Sequence, residues 1–85
     1  MVLATWKSPT GWSTPELESY IPLSLFPTAY RLHYATECFE CLKAYRGYDG
    51  KLPLLRAEYN AAWLNMSAAR ISLPQVDTLG LQKHI

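Results

Sequence analysis

The chain has 85 residues, 49% of them hydrophobic, and a formal net charge of +1. Such a length holds one small domain or a piece of a larger one, and a lone domain of this size buries only about 60–65% of its unfolded surface. The apolar content argues against disorder, the near-neutral charge gives no electrostatic case for nucleic acid, and no apolar run approaches the ~20 residues of a membrane span.

The opening stretch, MVLATWKSPTGWSTPELE, carries neither the apolar core of a signal peptide nor the Arg-rich amphipathic pattern of a transit peptide. Two cysteines cannot build a disulfide scaffold, so the default setting is reducing and cytoplasmic. Residues 1–20, rich in Ser, Thr, Pro and Gly, are expected to form an irregular arm. Its anchors, Trp6, Trp12 and Tyr20, are expected to lie across a surface of this domain or of a partner. Residues 21–85 are then expected to form an incomplete small α/β domain.

That domain opens with YIPLSLFP, whose brief alternation predicts a short edge strand; Pro22 and Pro27 suit an edge and forbid a centre. Thr28 is a fitting N-cap for a helix through about Glu40, with Leu32, Ala35, Phe39 and Leu42 along one face. Asp49-Gly50, between two short apolar runs, predicts a type I′ hairpin. In that register Tyr48 faces Lys51, Tyr45 faces Leu54, and Pro53 faces Arg46 where the ladder expects an N–H. The ladder must therefore fray there or shift through a bulge. A second helix is predicted from about Ala57 to Ile71, ended by Pro74, and TLGLQKHI reads as the start of a third.

Projection of the 57–71 helix at 100° per residue gives two apolar stripes. Tyr59, Ala62, Trp63, Met66 and Ala69 form one; Ala61, Leu64, Ala68 and Ile71 form the other, nearly opposite. A helix apolar on two sides is suited to a place between layers. The hairpin can cover one side, and the remaining residues offer nothing obvious for the other. This points to a further domain or a partner chain.

Three clusters invite a chemical reading. Cys38 and Cys41 form a C-x-x-C, which suits a redox pair or half a zinc site, but their place near a predicted helix C-terminus favours ordinary buried thiols. His33 and Glu37 are four apart on a helix, a spacing that usually marks solvated neighbours rather than an acid–base pair. Tyr45, Tyr48 and Tyr59 near Arg46 and Arg56 could stack single-stranded nucleic acid, yet hairpin packing is the simpler expectation at this net charge.

Three stretches together carry more: GWSTPEL, then PLSLFPTAYRLHYATECFECLKAYRGYDGKLPLLR, then NAAWLNMSAARISLP. They resemble the branched-chain amino acid aminotransferases of the eukaryotic type, pyridoxal phosphate enzymes of fold type IV. The pattern LHYxxxxFEGxKAYRxxDGxLxLFRPxxNAxR runs through the middle of the match. The resemblance implies the smaller N-terminal α/β domain, with a helix–hairpin–helix core, of an enzyme whose usual assembly is a homodimer. The cofactor sits between that domain and a larger C-terminal one. The family reaction is amino transfer between leucine, isoleucine or valine and 2-oxoglutarate, in the cytosol or in mitochondria. By the same resemblance Tyr34 lines the substrate pocket and Phe39 supplies apolar wall for the aliphatic side chain.

Departures from the pattern gather around the cofactor. The arginine that closes NAxR binds the cofactor phosphate in the family, and Trp63 stands in its place. A guanidinium fork suits a dianionic phosphate; an indole offers one N–H and no charge. Cys41 stands for the Gly of FEG, Leu55 for the Phe and Ala57 for the Pro of LFRP, while Arg56 is retained. The lysine that carries the cofactor lies downstream of Ile85 in the family, and none of Lys7, Lys43, Lys51 or Lys83 matches its motif. The expectation is an N-terminal, aminotransferase-like fragment that does not transaminate alone. The alternative is an interaction module that docks on a full-length family member through the 57–71 helix and the tryptophan-bearing arm.

Overall fold

The computed structural model describes residues 1–85, which fall into two compact units, Met1–Tyr34 and Ala35–Ile85. The division lies after Tyr34 rather than at the 20/21 boundary expected from composition. Both units are short elements joined by turns, and the chain as a whole is mixed α/β.

In the first unit the arm expected to be irregular is paired. β1 (Val2–Leu3) runs antiparallel to β4 (Glu16–Leu17), and β2 (Trp6–Lys7) runs antiparallel to β3 (Gly11–Trp12). The registers Leu3↔Glu16 and Trp6↔Trp12 differ by one residue, so the two pairs are one hairpin interrupted by a bulge. Pro15 lies in the bulge, where its missing N–H costs no ladder bond. Thr5 and Ser13 resume the pairing: the Ser13 N–H donates to the Thr5 carbonyl at 2.7 Å, and the Thr5 N–H donates to Ser13 Oγ at 2.9 Å. The tip holds a cis Ser8–Pro9 bond and Gly11 at φ 81°. Sequence reading missed this hairpin because its strands are two residues long and too short to show alternation.

No strand forms over residues 20–27. The predicted 28–40 helix is reduced to α1 (Tyr30–Tyr34), which buries no residue. Ala35 follows at φ 49°, a left-handed conformation that ends the helix. A short helix without a packed face has too little to offset the ordering of its chain. Phe39 and Leu42 therefore never join Leu32 on a helical stripe.

The second unit opens on an irregular segment and the 47–51 turn. The Gly47 N–H donates to the Lys51 carbonyl at 2.8 Å, and the Gly50 N–H donates to the Gly47 carbonyl at 3.0 Å. Gly50 has φ 78° while Asp49 keeps negative φ, so this is a type I turn with a glycine bulge, not type I′. The extra residue shifts the register by one: Ala44 faces Leu54, and Tyr45 N–H donates to the Pro53 carbonyl at 3.3 Å. Pro53 thus contributes an acceptor and returns no donor, and the ladder shrinks to a single bridge. The expected helix–hairpin–helix core is accordingly not seen as one body: α1 belongs to the other unit and the hairpin is vestigial.

The dominant element is α2 (Ala57–Arg70), within one residue of its predicted span. Its C-terminus is closed by a Schellman motif: Leu73 N–H donates to the Ala68 carbonyl at 2.8 Å and Ser72 N–H to the Ala69 carbonyl at 3.2 Å, with Ser72 at φ 59°. α3 (Thr78–Gln82) is N-capped by Asp77, whose carboxylate accepts the Leu79 N–H at 3.1 Å. α3 packs against α2, and the two buried residues of the chain, Ala61 and Ala68, both belong to α2.

Candidate functional site

The site grows from the two faces of α2. Ala57, Asn60, Ala61, Leu64, Asn65 and Ala68 are buried or half-buried; Tyr59, Ala62, Trp63, Met66 and Ala69 are exposed. The helix therefore has the two apolar stripes its sequence implies. One is covered, in part by the 76–82 segment that packs on α2. The other is bare, and Trp63 is 50% exposed at its centre.

Two asparagines mark the rims of the covered face. Asn60 Nδ2 donates to Glu40 Oε2 at 2.8 Å and to the Cys41 carbonyl at 3.1 Å. Asn65 Nδ2 donates to the Val76 carbonyl at 2.8 Å, and Val76 N–H donates back to Asn65 Oδ1 at 2.7 Å. Asn60 thereby ties the loop that carries Phe39 to α2, one turn before Trp63. Sequence reading named neither asparagine. Its available signal was the position of both in the polar seams between the apolar stripes.

Among the residues expected at the substrate pocket, Phe39 lies in the second unit on this tethered loop, 81% exposed. Tyr34 lies in the first unit at the end of α1, 73% exposed, with its ring 5.4 Å from that of Tyr30. His33 Nε2 contacts the Pro27 carbonyl at 2.6 Å, so it serves the turn before α1, and Glu37 lies outside that helix. The cysteines are free, Cys38 half-buried and Cys41 exposed, on a loop rather than a helix end; the expectation of two buried thiols does not hold. No group of three or more His, Cys, Asp or Glu side chains is placed to hold a metal ion. Tyr45, Tyr48 and Tyr59 are all exposed, so hairpin packing does not account for them. A separate hollow of about 350 Å³ lies in the first unit between Thr5, Lys7, Trp12, Ser13 and Glu16, and it includes none of the expected site residues.

A phosphate-bearing cofactor needs a fixed cation, and an imine-forming lysine needs partial burial to hold its amine unprotonated. Around Trp63, one helical turn in either direction presents Tyr59, Asn60, Met66 and Ser67, none of them cationic. Arg56 and Arg70 lie two turns away, roughly 10 Å along the axis. Lys7, Lys43, Lys51 and Lys83 are all exposed. The residues of this chain do not fit a pyridoxal phosphate site.

Comparison with known proteins shows homology. No family model matches the chain. It is 47% identical over 77 residues to the cytosolic branched-chain-amino-acid aminotransferase of Saccharomyces cerevisiae, covering 91% of this chain and 20% of that protein. It is 41% identical over 85 residues to the branched-chain-amino-acid aminotransferase of Monosiga brevicollis, covering 100% of this chain and 22% of that protein. The probable branched-chain-amino-acid aminotransferase of Streptomyces coelicolor is 45% identical over 80 residues. The chain is homologous to the branched-chain-amino-acid aminotransferases. It spans about a fifth of the length of the relatives it matches. Those relatives include proteins named as cytosolic and as mitochondrial. No helix of the chain is long and apolar enough to cross a membrane.

Proposed function

We propose that this chain is the N-terminal, substrate-side segment of a branched-chain aminotransferase of fold type IV. The reaction it serves is amino transfer between leucine, isoleucine or valine and 2-oxoglutarate, with pyridoxal phosphate held by residues outside the segment. The carrying observation is identity of 41–47% across 91–100% of the chain to proteins of that name. By the family resemblance Phe39 offers apolar surface to an aliphatic side chain, and separately the Tyr34 hydroxyl is available to a polar atom of a substrate.

The isolated segment does not transaminate. Its lysines are exposed, and the position expected to hold the cofactor phosphate is an uncharged indole. The test is to titrate the chain with pyridoxal phosphate and follow the visible absorption of a covalent lysine adduct. No saturable band is expected. A saturable band abolished by changing one particular lysine, together with leucine-dependent turnover, would overturn the reading.

A further inference from the structure

The hairpin of the first unit carries a hollow that the functional reading leaves unused. Alternate residues of a strand share a face, and so do directly opposed residues of an antiparallel pair. Leu3, Thr5 and Lys7 therefore stand along one side of a face, with Glu16, Ser13 and Gly11 opposite them in the registers Leu3↔Glu16 and Lys7↔Gly11. The Thr5–Ser13 hydrogen bonds join the two segments. All six residues line the hollow of about 350 Å³, with Trp12 beside them. The bulge between the two ladder segments bends the strand and makes this face concave. Gly11 brings no side chain to it, and a Cβ there would meet nothing within 4 Å.

The charges of the hollow are held apart. Lys7 and Glu16 are its two ionic side chains, and they form no ion pair with each other. Glu16 faces Leu3, so Lys7 lies four residues further along the strand, about 13 Å at ~3.3 Å per residue. Between them Ser13 Oγ is engaged, accepting the Thr5 N–H at 2.9 Å and donating to the Thr14 carbonyl at 3.3 Å. The Thr5 hydroxyl is left as the polar group at the middle. A carboxylate at one end and an ammonium at the other select a ligand that carries both charges in the opposite order. The charges of a free α-amino acid sit side by side, whereas the termini of a dipeptide are about 7 Å apart. That separation is one the Lys7 and Glu16 side chains can meet from the two ends. The volume suits such a ligand, since small-molecule sites run from about 300 to 1,000 Å³. We propose that this hollow binds a short peptide of dipeptide length with both termini free. Its ammonium lies at Glu16, its carboxylate at Lys7, and its aliphatic side chains against Leu3 and Trp12, which are 39% and 42% exposed. The site lies wholly within Met1–Tyr34 and does not depend on the aminotransferase reading.

The test is an NMR titration of the isotope-labelled 85-residue chain with leucyl-leucine. Saturable shifts are expected at the Thr5 and Ser13 amides and the Trp12 indole N–H, with a Kd of about 1 mM and the amides of Ala35–Ile85 unmoved. N-acetyl-leucyl-leucine lacks the ammonium and leucyl-leucinamide lacks the carboxylate. Each should bind about tenfold more weakly, as should free leucine. Glu16→Gln should reduce leucyl-leucine to the level of the acetylated peptide while leaving the acetylated peptide's own binding unchanged. Lys7→Gln should do the same with respect to the amide. The absence of a saturable shift overturns the proposal, and so does equal binding of the capped peptides. Leucine binding as tightly as the dipeptide overturns the assignment of a peptide ligand. The capped peptides decide on the unsubstituted chain, so unfolding of either variant does not remove the test.

Discussion

Asn65 and Val76 exchange two hydrogen bonds, at 2.8 and 2.7 Å, in a partly buried position. The side-chain amide thus replaces a strand partner for one backbone residue and clamps the approach to α3 onto α2. Asn65→Ala removes both bonds and leaves the Val76 groups without a partner. A loss of about 2 kcal/mol is expected, since each such bond contributes roughly 1 kcal/mol net. Amide exchange at Val76 and through α3 checks it, and exchange in the α2 interior should change less than at Val76.

Asn60→Ala is expected to free the loop at Glu40 and Cys41 without unwinding α2. The two bonds it makes are to a side chain and a carbonyl outside the helix. The observable is faster thiol labelling of Cys38, now half-buried, with helical circular dichroism unchanged.

Ser72 occupies the left-handed position of the Schellman motif at φ 59°, where glycine has no Cβ penalty. Ser72→Gly should stabilise the unit by about 1 kcal/mol, seen as a higher urea midpoint with unchanged slope. Gly50→Ala carries the opposite sign. At φ 78° a Cβ is strained although nothing lies within 4 Å of it, and a loss of about 1 kcal/mol is expected.

Trp63→Arg tests the cofactor side of the functional reading. In a chimera where this chain's residues replace the matched 77 residues of the yeast cytosolic enzyme, it places a guanidinium at the position expected to bind the cofactor phosphate, and charge-assisted bonds to a phosphate are worth about 1.5–3 kcal/mol. Pyridoxal phosphate affinity should rise by about tenfold or more by equilibrium dialysis. In the isolated chain the same change should give no saturable binding, because the lysines remain exposed.

α2 was legible in the sequence because its signals are local: helix-forming residues from Ala57 to Arg70, no Gly or Pro, and Pro74 beyond the end. Its two apolar stripes were legible for the same reason, since helical periodicity alone sets which residues share a face. The Asp49-Gly50 turn was legible, but its type and register were not. A single residue left out of the left-handed region turned a type I′ loop into a bulged one and moved Pro53 from opposite Arg46 to opposite Tyr45.

The amino-acid sequence by itself carried the resemblance to the family, the span of α2 and its two apolar stripes, with Trp63 on one of them. These are read from residue identity and short-range spacing. Only the tertiary structure decided which stripe of α2 is covered, that α3 packs against α2, and that Asn60 and Asn65 hold the flanking segments. It also decided that the chain beyond Tyr34 leaves the helix, so that Phe39 sits on a loop tied to α2. Those outcomes depend on contacts between residues far apart in sequence, where small differences in burial and hydrogen bonding select one arrangement among several that local preference allows equally.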